Sequence, residues 1–260
     1  MKHTDQMGNT LTFLSPPKRI ISIVPSQTEL LYYWGLEEEV VGITKFCVHP
    51  EQWFRNKKRV GGTKNLNFEA IEALQPDLII GNKEENEKAD IERLSNRYPV
   101  WMSDIVTLED AYEMMMGLGN LLAKKDEAMQ LVTQLQDGFR GIRAQESGKN
   151  QSVAYFIWQE PMMVAAPGTF IDEILQALGY RNAFENQQRY PVIENADLQE
   201  VAPDLIFLSS EPYPYKEKHI TYFQELCPDA KVELVDGELF SWYGSRMLEA
   251  IKIFKKNVTD

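Results

Sequence analysis

One phrase occurs twice in this chain and constrains its fold more than any other feature. A helix-patterned segment over residues 68–75 leads into Pro-Asp-Leu-Ile at 76–79, and a second helix-patterned segment leads into the same four residues at 203–206. Each copy continues as an apolar run typical of a buried strand, followed by polar residues. The repeat predicts two similar α/β lobes, one in each half of the chain, with a chance repeat of four residues as the alternative.

Between the two copies lies one long amphipathic segment, from Asp126 to Gln145. Its apolar residues recur every three or four positions, as on one face of a helix, and Asp126 is the predicted N-cap. About 20 residues at ~1.5 Å each give a rod of roughly 30 Å, long enough to bridge two lobes. Gly138 and Gly141 indicate either that another segment approaches closely or that the helix weakens toward its end.

These patterns predict an α/β fold of two Rossmann-like lobes with parallel-type sheets, joined by a single long backbone helix. The predicted boundaries are 1–122 for the N-terminal lobe, 123–148 for the connecting helix and 149–260 for the C-terminal lobe. Residues 20–24 form a predicted buried strand, after which Ser26 or Thr28 is expected to cap a helix. Since ligands of parallel sheets bind at the carboxyl ends of strands, the loops that follow the strands are candidate binding residues.

Composition narrows the possible partners. The 260 residues carry a net charge of −12, so a nucleic acid or an anionic membrane surface is not expected to bind. Cys47 and Cys227 fall in different lobes and are expected to remain unpaired. No secretory signal or membrane-spanning stretch is visible, which predicts a cytoplasmic protein as the chain stands, or a periplasmic or extracellular one if a leader was removed.

The chain contains none of the common catalytic motifs. It has no Walker loop, no Gly-x-Gly-x-x-Gly, no Gly-x-Ser-x-Gly elbow and no His-Glu-x-x-His. This argues against NTPases, dinucleotide enzymes, α/β-hydrolases and zincins. It leaves open an enzyme that uses an unfamiliar site.

Two short segments could hold a metal. Cys47 and His49 are spaced so that an extended loop points both side chains the same way, and a thiolate with an imidazole suits zinc, iron or cobalt. Glu84 and Glu85 follow a predicted strand and could supply carboxylates to a metal or a metal-bearing ligand. The alternatives are a buried structural cysteine beside a hydrogen-bonded histidine, and a solvated first turn of the next helix.

The segment Phe240 to Arg246 is the sharpest ligand-binding signal. Trp242 and Tyr243 could stack on a planar ring, while the Arg246 guanidinium could make a bidentate contact with a carboxylate, phosphate or amide. Tryptophan and tyrosine are also ordinary core residues, which is the alternative for these side chains.

Several phrases together resemble a known family. They are ISIVPS at 21–26, VGIT at 41–44, NFEAI at 67–71 and PDLII at 76–80. They resemble the helical-backbone metal-receptor superfamily, the class III periplasmic-type substrate-binding proteins of ABC importers for cobalamin, siderophores, haem and some metals. The similarity is greatest to the cobalamin-binding-like branch. The resemblance implies a ligand cleft between two lobes joined by one long helix.

Site residues follow from the resemblance by position. The first lobe would contribute Pro25, Ser26, His49, Thr63 and Lys64, and the second lobe would contribute Trp158, Tyr190 and the loop from Phe240 to Arg246. Cobalamin binders favour aromatic residues where His49 and Thr63 stand, so this chain departs from their pattern.

The resemblance also implies a docking site for a permease. Family members present one glutamate per lobe to arginines of the transporter. Glu69 matches the first glutamate, whereas the second position falls near Ala196, with Glu194 or Asp197 as possible substitutes.

The sequence therefore predicts an ABC-importer-type substrate-binding protein that captures a metal chelate, foremost cobalamin or another corrinoid, otherwise a siderophore, haem or metal ion. It would work by binding, with no bond made or broken and no required cofactor. Its partners would be that small ligand and an ABC permease. One alternative is a cytoplasmic metal-chelate carrier or sensor without a permease. The other is a metalloenzyme that uses Cys47 and His49 with Glu84 or Glu85.

Overall fold

The computed structural model describes residues 1–144 and 150–257, with the side chain of residue 257 left aside. The chain clusters into two compact units. Unit 1 comprises Met1–Ile105, Glu109–Gln134 and Tyr243–Arg246, and unit 2 comprises Val106–Leu108, Leu135–Trp242 and Met247–Asp260. As domain boundaries, the ranges 1–122, 123–148 and 149–260 stay a prediction.

Unit 1 contains nine strands: β1 (Lys2–Thr4), β2 (Thr10–Thr12), β3 (Ile20–Ser22), β4 (Val40–Ile43), β5 (Lys58–Arg59), β6 (Gly61–Gly62), β7 (Asn65–Leu66), β8 (Leu78–Asn82) and β9 (Val100–Ser103). Five of them form a parallel sheet in the order β5-β4-β3-β8-β9. The central strands β3 and β8 are buried along their whole length, as expected for strands covered on both faces. The pairs β1–β2 and β6–β7 are separate antiparallel ribbons.

The helices up to the middle of the chain are α1 (Pro25–Tyr33), α2 (Glu51–Asn56), α3 (Phe68–Leu74), α4 (Lys88–Ser95), α5 (Leu108–Leu121) and α6 (Lys125–Arg143). The start predicted for the first helix is wrong. Helix α1 begins at Pro25 itself, whose fixed φ and missing N–H suit the first helical position. No side chain caps α1, and the Thr28 hydroxyl instead donates back to the Val24 carbonyl at 2.8 Å.

Unit 2 contains β10 (Ser152–Gln159), β11 (Met162–Val164), β12 (Arg181–Asn182), β13 (Leu205–Ser209) and β14 (Lys231–Val235). The sheet order is β11-β10-β13-β14, with β12 paired to the start of β10. All pairs are parallel except the β10–β11 hairpin. The remaining helices are α7 (Phe170–Ala177), α8 (Asn195–Val201), α9 (Glu217–Leu226), α10 (Gly237–Ser241) and α11 (Arg246–Asn257).

The internal repeat is visible in the local structure of the two copies. Both α3 and α8 have seven residues and end in a left-handed residue, Gln75 and Ala202, directly before the Pro-Asp pair. The aspartate then has the same task in each unit. Asp77 accepts from the backbone N–H groups of Lys18 and Arg19 at the start of β3, and Asp204 accepts from Ser152 at the start of β10. The repeated phrase is therefore a helix end and a strand start fixed by one carboxylate.

Helix α6 passes from unit 1 to unit 2 after Gln134. It begins at Lys125, so Asp126 lies in its first turn rather than at the predicted N-cap, and Gln145, the predicted end, falls outside the described residues. The close approach predicted at Gly138 is confirmed. A Cβ there would lie 2.5 Å from Ile251 Cδ1, so α11 packs against the helix backbone at this point.

The predicted α/β class with parallel sheets is confirmed. Among the described residues, no helix combines the length and the apolar composition that crossing a membrane requires.

Candidate functional site

The carboxyl ends of the unit 1 strands meet in a layer of buried polar side chains. The layer comprises Ser22, Ser26, Gln27, Thr28, Thr44, Thr63, Asn82, Asn86 and Ser103. Buried polar groups of this kind must bond to one another, because an unpaired group loses its hydration without compensation. The layer therefore fixes the loops that lead away from the sheet.

Asn82 lies at the centre of this polar layer. Its amide nitrogen donates to the carbonyl and hydroxyl oxygens of Ser103 at 3.2 and 3.1 Å, and its Oδ1 accepts from the backbone N–H groups of Glu84 and Glu85 at 2.8 and 3.2 Å. These bonds hold residues 83–86 in a tight loop that precedes α4, which starts at Lys88. Glu84 and Glu85 thus lie in this loop and not in the first turn of a helix.

The candidate metal residues Cys47 and His49 do not project from an extended loop. The Cys47 N–H donates to the Thr44 carbonyl in a turn, and its thiol is buried at 3.1 and 3.2 Å from the hydroxyl oxygens of Thr28 and Thr44. Burial raises the pKa of the Cys47 thiol, with the hydroxyl contacts opposing, which favours the neutral thiol over the thiolate that binds metals. His49 is half-exposed. Cys47 and Cys227 are both free and buried.

The four candidate metal residues do not assemble. Across residues 1–144 and 150–257, no three or more histidine, cysteine, aspartate and glutamate side chains come close enough together to hold a metal ion. Glu85 is half-buried, and its pKa is raised by burial and by Glu84, while Lys64 opposes the shift. Lys64 itself is exposed, with its Nζ 4.0 Å from a Glu87 carboxylate oxygen.

The segment predicted to bind a ligand, Phe240 to Arg246, is divided between the two units. Tyr243 belongs to unit 1, is 7% exposed, and lies against the polar layer near Ser26 and Ser103. Its pKa is raised well above the ordinary value, chiefly by burial and then by the charge of Glu85. The phenol is therefore a neutral, buried part of this edge.

Arg246 is also engaged within unit 1. Its Nε and Nη2 atoms lie 3.0 and 2.9 Å from the two carboxylate oxygens of Glu29, a bidentate pair with side chains only 11% and 21% exposed. The bidentate contact predicted between Arg246 and a ligand group is thus made with Glu29 on α1. Pro25 and Ser26 form the first turn of the same helix.

Trp242 belongs to unit 2 and is 7% exposed. Its indole N–H donates to a Glu211 carboxylate oxygen at 2.9 Å, and the Ser241 hydroxyl donates to the same oxygen. The indole is therefore anchored in the interior of unit 2.

The carboxyl edge of the unit 2 sheet is aromatic. Trp158 lies near the end of β10 and is 39% exposed, with its ring centroid 5.8 Å from that of Tyr213 in an edge-to-face contact. Its indole N–H donates to the Glu160 carbonyl at 2.9 Å, and the Tyr215 hydroxyl donates to the Trp158 carbonyl at 2.9 Å. These contacts hold a partly exposed indole at the carboxyl edge of the unit 2 sheet. Tyr190 is half-exposed in a separate loop, beneath the Arg189 guanidinium.

Sequence reasoning missed most of this aromatic group. Tyr213, Tyr215 and His219 contact one another with ring centroids 4.8 to 5.6 Å apart. The available signal was Pro-Tyr-Pro-Tyr at 212–215, directly after the strand of the second repeat copy. We name Trp158, Tyr213, Tyr215 and His219 the aromatic cluster.

The predicted docking residue Glu69 is exposed in the first turn of α3. The same turn of α8 carries Ala196, also exposed. Of the two possible substitutes, the Asp197 carboxylate accepts from the Glu194 N–H at 2.7 Å.

Comparison with known proteins identifies the family. The periplasmic binding protein model matches residues 20–225, so the chain belongs to this family, and the resemblance inferred from the sequence is confirmed. A vitamin B12-binding protein of Pectobacterium carotovorum is 25% identical over 239 residues, 90% of this chain and 86% of the relative. An ABC transporter substrate-binding lipoprotein of Bacillus subtilis, itself described as uncharacterized, is 23% identical over 265 residues, 98% of this chain and 84% of the relative.

Solved structures support the same architecture. The periplasmic vitamin B12 binding protein of Vibrio cholerae superposes with a TM-score of 0.79 at 21% identity, covering 94% of this chain and 97% of that one. A periplasmic haem-binding protein from Roseiflexus sp. RS-1 gives 0.80 at 16% identity, covering 93% and 97%. At these identities the likeness establishes the fold alone, that of the two-lobed class III binding proteins.

Proposed function

We propose that this protein is the substrate-binding component of an ABC importer, and that its ligand is a metal chelate with a planar ring, foremost cobalamin or another corrinoid. The family assignment and the names of the relatives support the importer role. Such a protein works by binding alone. The ligand cleft expected from the resemblance stays a prediction.

The observation that carries the ligand class is the exposed indole of Trp158. All five tryptophans lie in the described part of the chain, and the other four are between 0 and 7% exposed. The flat, partly exposed face of this indole suits a conjugated ring. The aromatic cluster holds the indole in place before a ligand arrives, which reduces the entropy lost on binding.

Calorimetric titration of the purified protein with cyanocobalamin, haemin and a ferric hydroxamate siderophore tests this proposal. One ligand is expected to bind at one-to-one stoichiometry, and Trp158→Ala is expected to weaken that binding at least tenfold, about 1.4 kcal/mol. Tyr222→Ala is the matched control, because Tyr222 is 40% exposed in unit 2 but lies outside the cluster.

Binding that is unchanged in Trp158→Ala would remove the aromatic cluster from the site while leaving the ligand class intact. No binding of the three ligands would overturn the metal-chelate proposal.

A second candidate is a metal-chelate carrier without a permease. The exposed Ala196 favours it, since the resemblance implies a glutamate there. Capture of the ligand-loaded protein by vesicles containing a candidate permease, compared between wild type and Glu69→Ala, separates the two. Capture lost in the variant supports the importer, and no capture of the wild type supports the carrier.

A further inference from the structure

Unit 2 contains a cavity that the proposed function does not use. It measures about 320 Å³, at the lower end of the roughly 300–1,000 Å³ typical of small-molecule sites. It is bounded by the edge strand β14, by α10 and by the last turns of α11. All of its lining residues belong to unit 2.

The cavity and the aromatic cluster lie on opposite faces of the unit 2 sheet. Phe207 lines the cavity, whereas its neighbour Leu208 packs with Phe156 and Tyr215 in the core cluster next to the aromatic cluster. Because successive side chains of a strand point to opposite faces, these two residues separate the two sites. A ligand in the cavity would not occupy the edge that carries Trp158.

The chemistry of the cavity walls is specific. Buried aromatic rings form the floor, with Phe240 in contact with both Phe207 and Phe254 at centroid distances of 6.0 and 5.2 Å. The charged side chains in the lining are both carboxylates, Glu233 and Asp236. Aromatic faces and carboxylates both attract cations, and neither attracts anions.

The two carboxylates differ in their availability. Asp236 accepts from the Glu238 N–H at the start of α10 at 3.1 Å. Glu233 is paired with Lys231 Nζ at 2.6 Å, but that lysine side chain is 73% exposed and can turn to solvent at little cost. An ammonium inside the cavity could therefore replace Lys231 as the partner of Glu233.

We propose that this cavity is a second small-molecule site that takes a small organic amine with an apolar body, its ring on the phenylalanine floor and its ammonium on Glu233. The site is independent of the proposed transport ligand.

Titration with phenethylamine, followed by calorimetry or ligand-observed NMR, tests the proposal. Saturable binding with a dissociation constant of about 1 mM or tighter is expected, and the neutral analogue 2-phenylethanol is expected to bind at least fivefold more weakly. Glu233→Gln is expected to weaken amine binding at least fivefold. Lys231→Met is expected to tighten it about threefold, because the competing ammonium is gone.

Glu225→Gln is the charge-matched control, since Glu225 lies on α9 outside the lining. Ile253→Trp fills the cavity from its half-exposed wall and is expected to abolish binding while circular dichroism stays native. The proposal is overturned by absence of saturation at 20-fold above the expected constant, by equal binding of amine and alcohol, or by amine binding that survives in both Glu233→Gln and Ile253→Trp.

Discussion

The carboxyl edges of the two sheets arise from the same repeated unit, yet they differ in character. In unit 1 the strands end in buried hydroxyls and amides that bond to one another, and Tyr243 lies over them. In unit 2 the corresponding edge carries rings, and Trp158 is left exposed. The unit 1 edge is organised by hydrogen bonds, which fix loop geometry, whereas the unit 2 edge offers an apolar surface, which supplies binding energy.

The largest expected effect is on the unit 1 edge. Asn82→Ala removes an amide with four hydrogen bonds from a position only 2% exposed, which is expected to cost about 3 kcal/mol of unfolding free energy. For a chain of this size that lowers Tm by about 6–12 °C. Thermal unfolding measures it, with the exposed Asn65→Ala as control. A change below about 1 kcal/mol would show that water replaces the network.

A smaller effect is expected at the ion pair of unit 1. Arg246→Met leaves the largely buried Glu29 carboxylate without its bidentate partner and is expected to cost about 2 kcal/mol, somewhat below fully buried pairs because both side chains retain some exposure. Urea unfolding followed by tryptophan emission measures it. Arg140→Met, which breaks an exposed pair with Asp137, is expected to cost less than about 0.5 kcal/mol. An equal loss of unfolding free energy in the two variants would contradict the distinction between the largely buried ion pair and the exposed one.

The unit 2 edge is expected to respond mainly in binding. Tyr215→Phe removes the hydroxyl that donates to the Trp158 carbonyl, at an expected cost of about 1 kcal/mol. Because Trp158 then becomes more mobile, binding of the transport ligand is expected to weaken about threefold. Calorimetry gives the affinity, and tryptophan anisotropy gives the mobility. Unchanged anisotropy would show that the other contacts suffice to hold the indole.

The smallest effect concerns pH and returns to unit 1. Burial and the neighbouring Glu84 raise the pKa of Glu85 in the folded state, so its ionised form opposes folding above that pKa and its protonated form does not. Glu85→Gln is therefore expected to stabilise the protein near pH 7, by less than about 1 kcal/mol since the side chain is half-exposed. The gain should vanish below the ordinary carboxyl pKa. Tm measured against pH, with the exposed Glu87→Gln as control, tests this, and a gain that grows at low pH would contradict it.

Much of the fold could be predicted from the sequence because its signals are local. The periodicity of α6, the apolar runs of β3 and β8, and the Pro-Asp pair after α3 each depend on neighbouring residues alone. The start of α1 was misplaced because a hydroxyl cap at Ser26 or Thr28 was expected, when Pro25 is itself a favoured first residue of a helix.

The candidate site was harder to predict because burial depends on residues distant in sequence. Trp242 and Arg246 have the side chains of a ligand-binding loop, but their respective partners Glu211 and Glu29 lie far away in the chain. The aromatic cluster was missed for the opposite reason, since Tyr213 gains significance only when the fold brings Trp158 of β10 beside it and His219 against its other neighbours.

The sequence by itself determined the two α/β units, the repeated helix–strand phrase within them and the long helix in which the chain passes from one unit to the other. Only the tertiary structure decided which polar and aromatic side chains are exposed at the two edges and which are enclosed. The physical reason is that secondary structure is encoded by periodicity over a few residues, whereas exposure and hydrogen-bond partners are set by strands that pair across long stretches of chain.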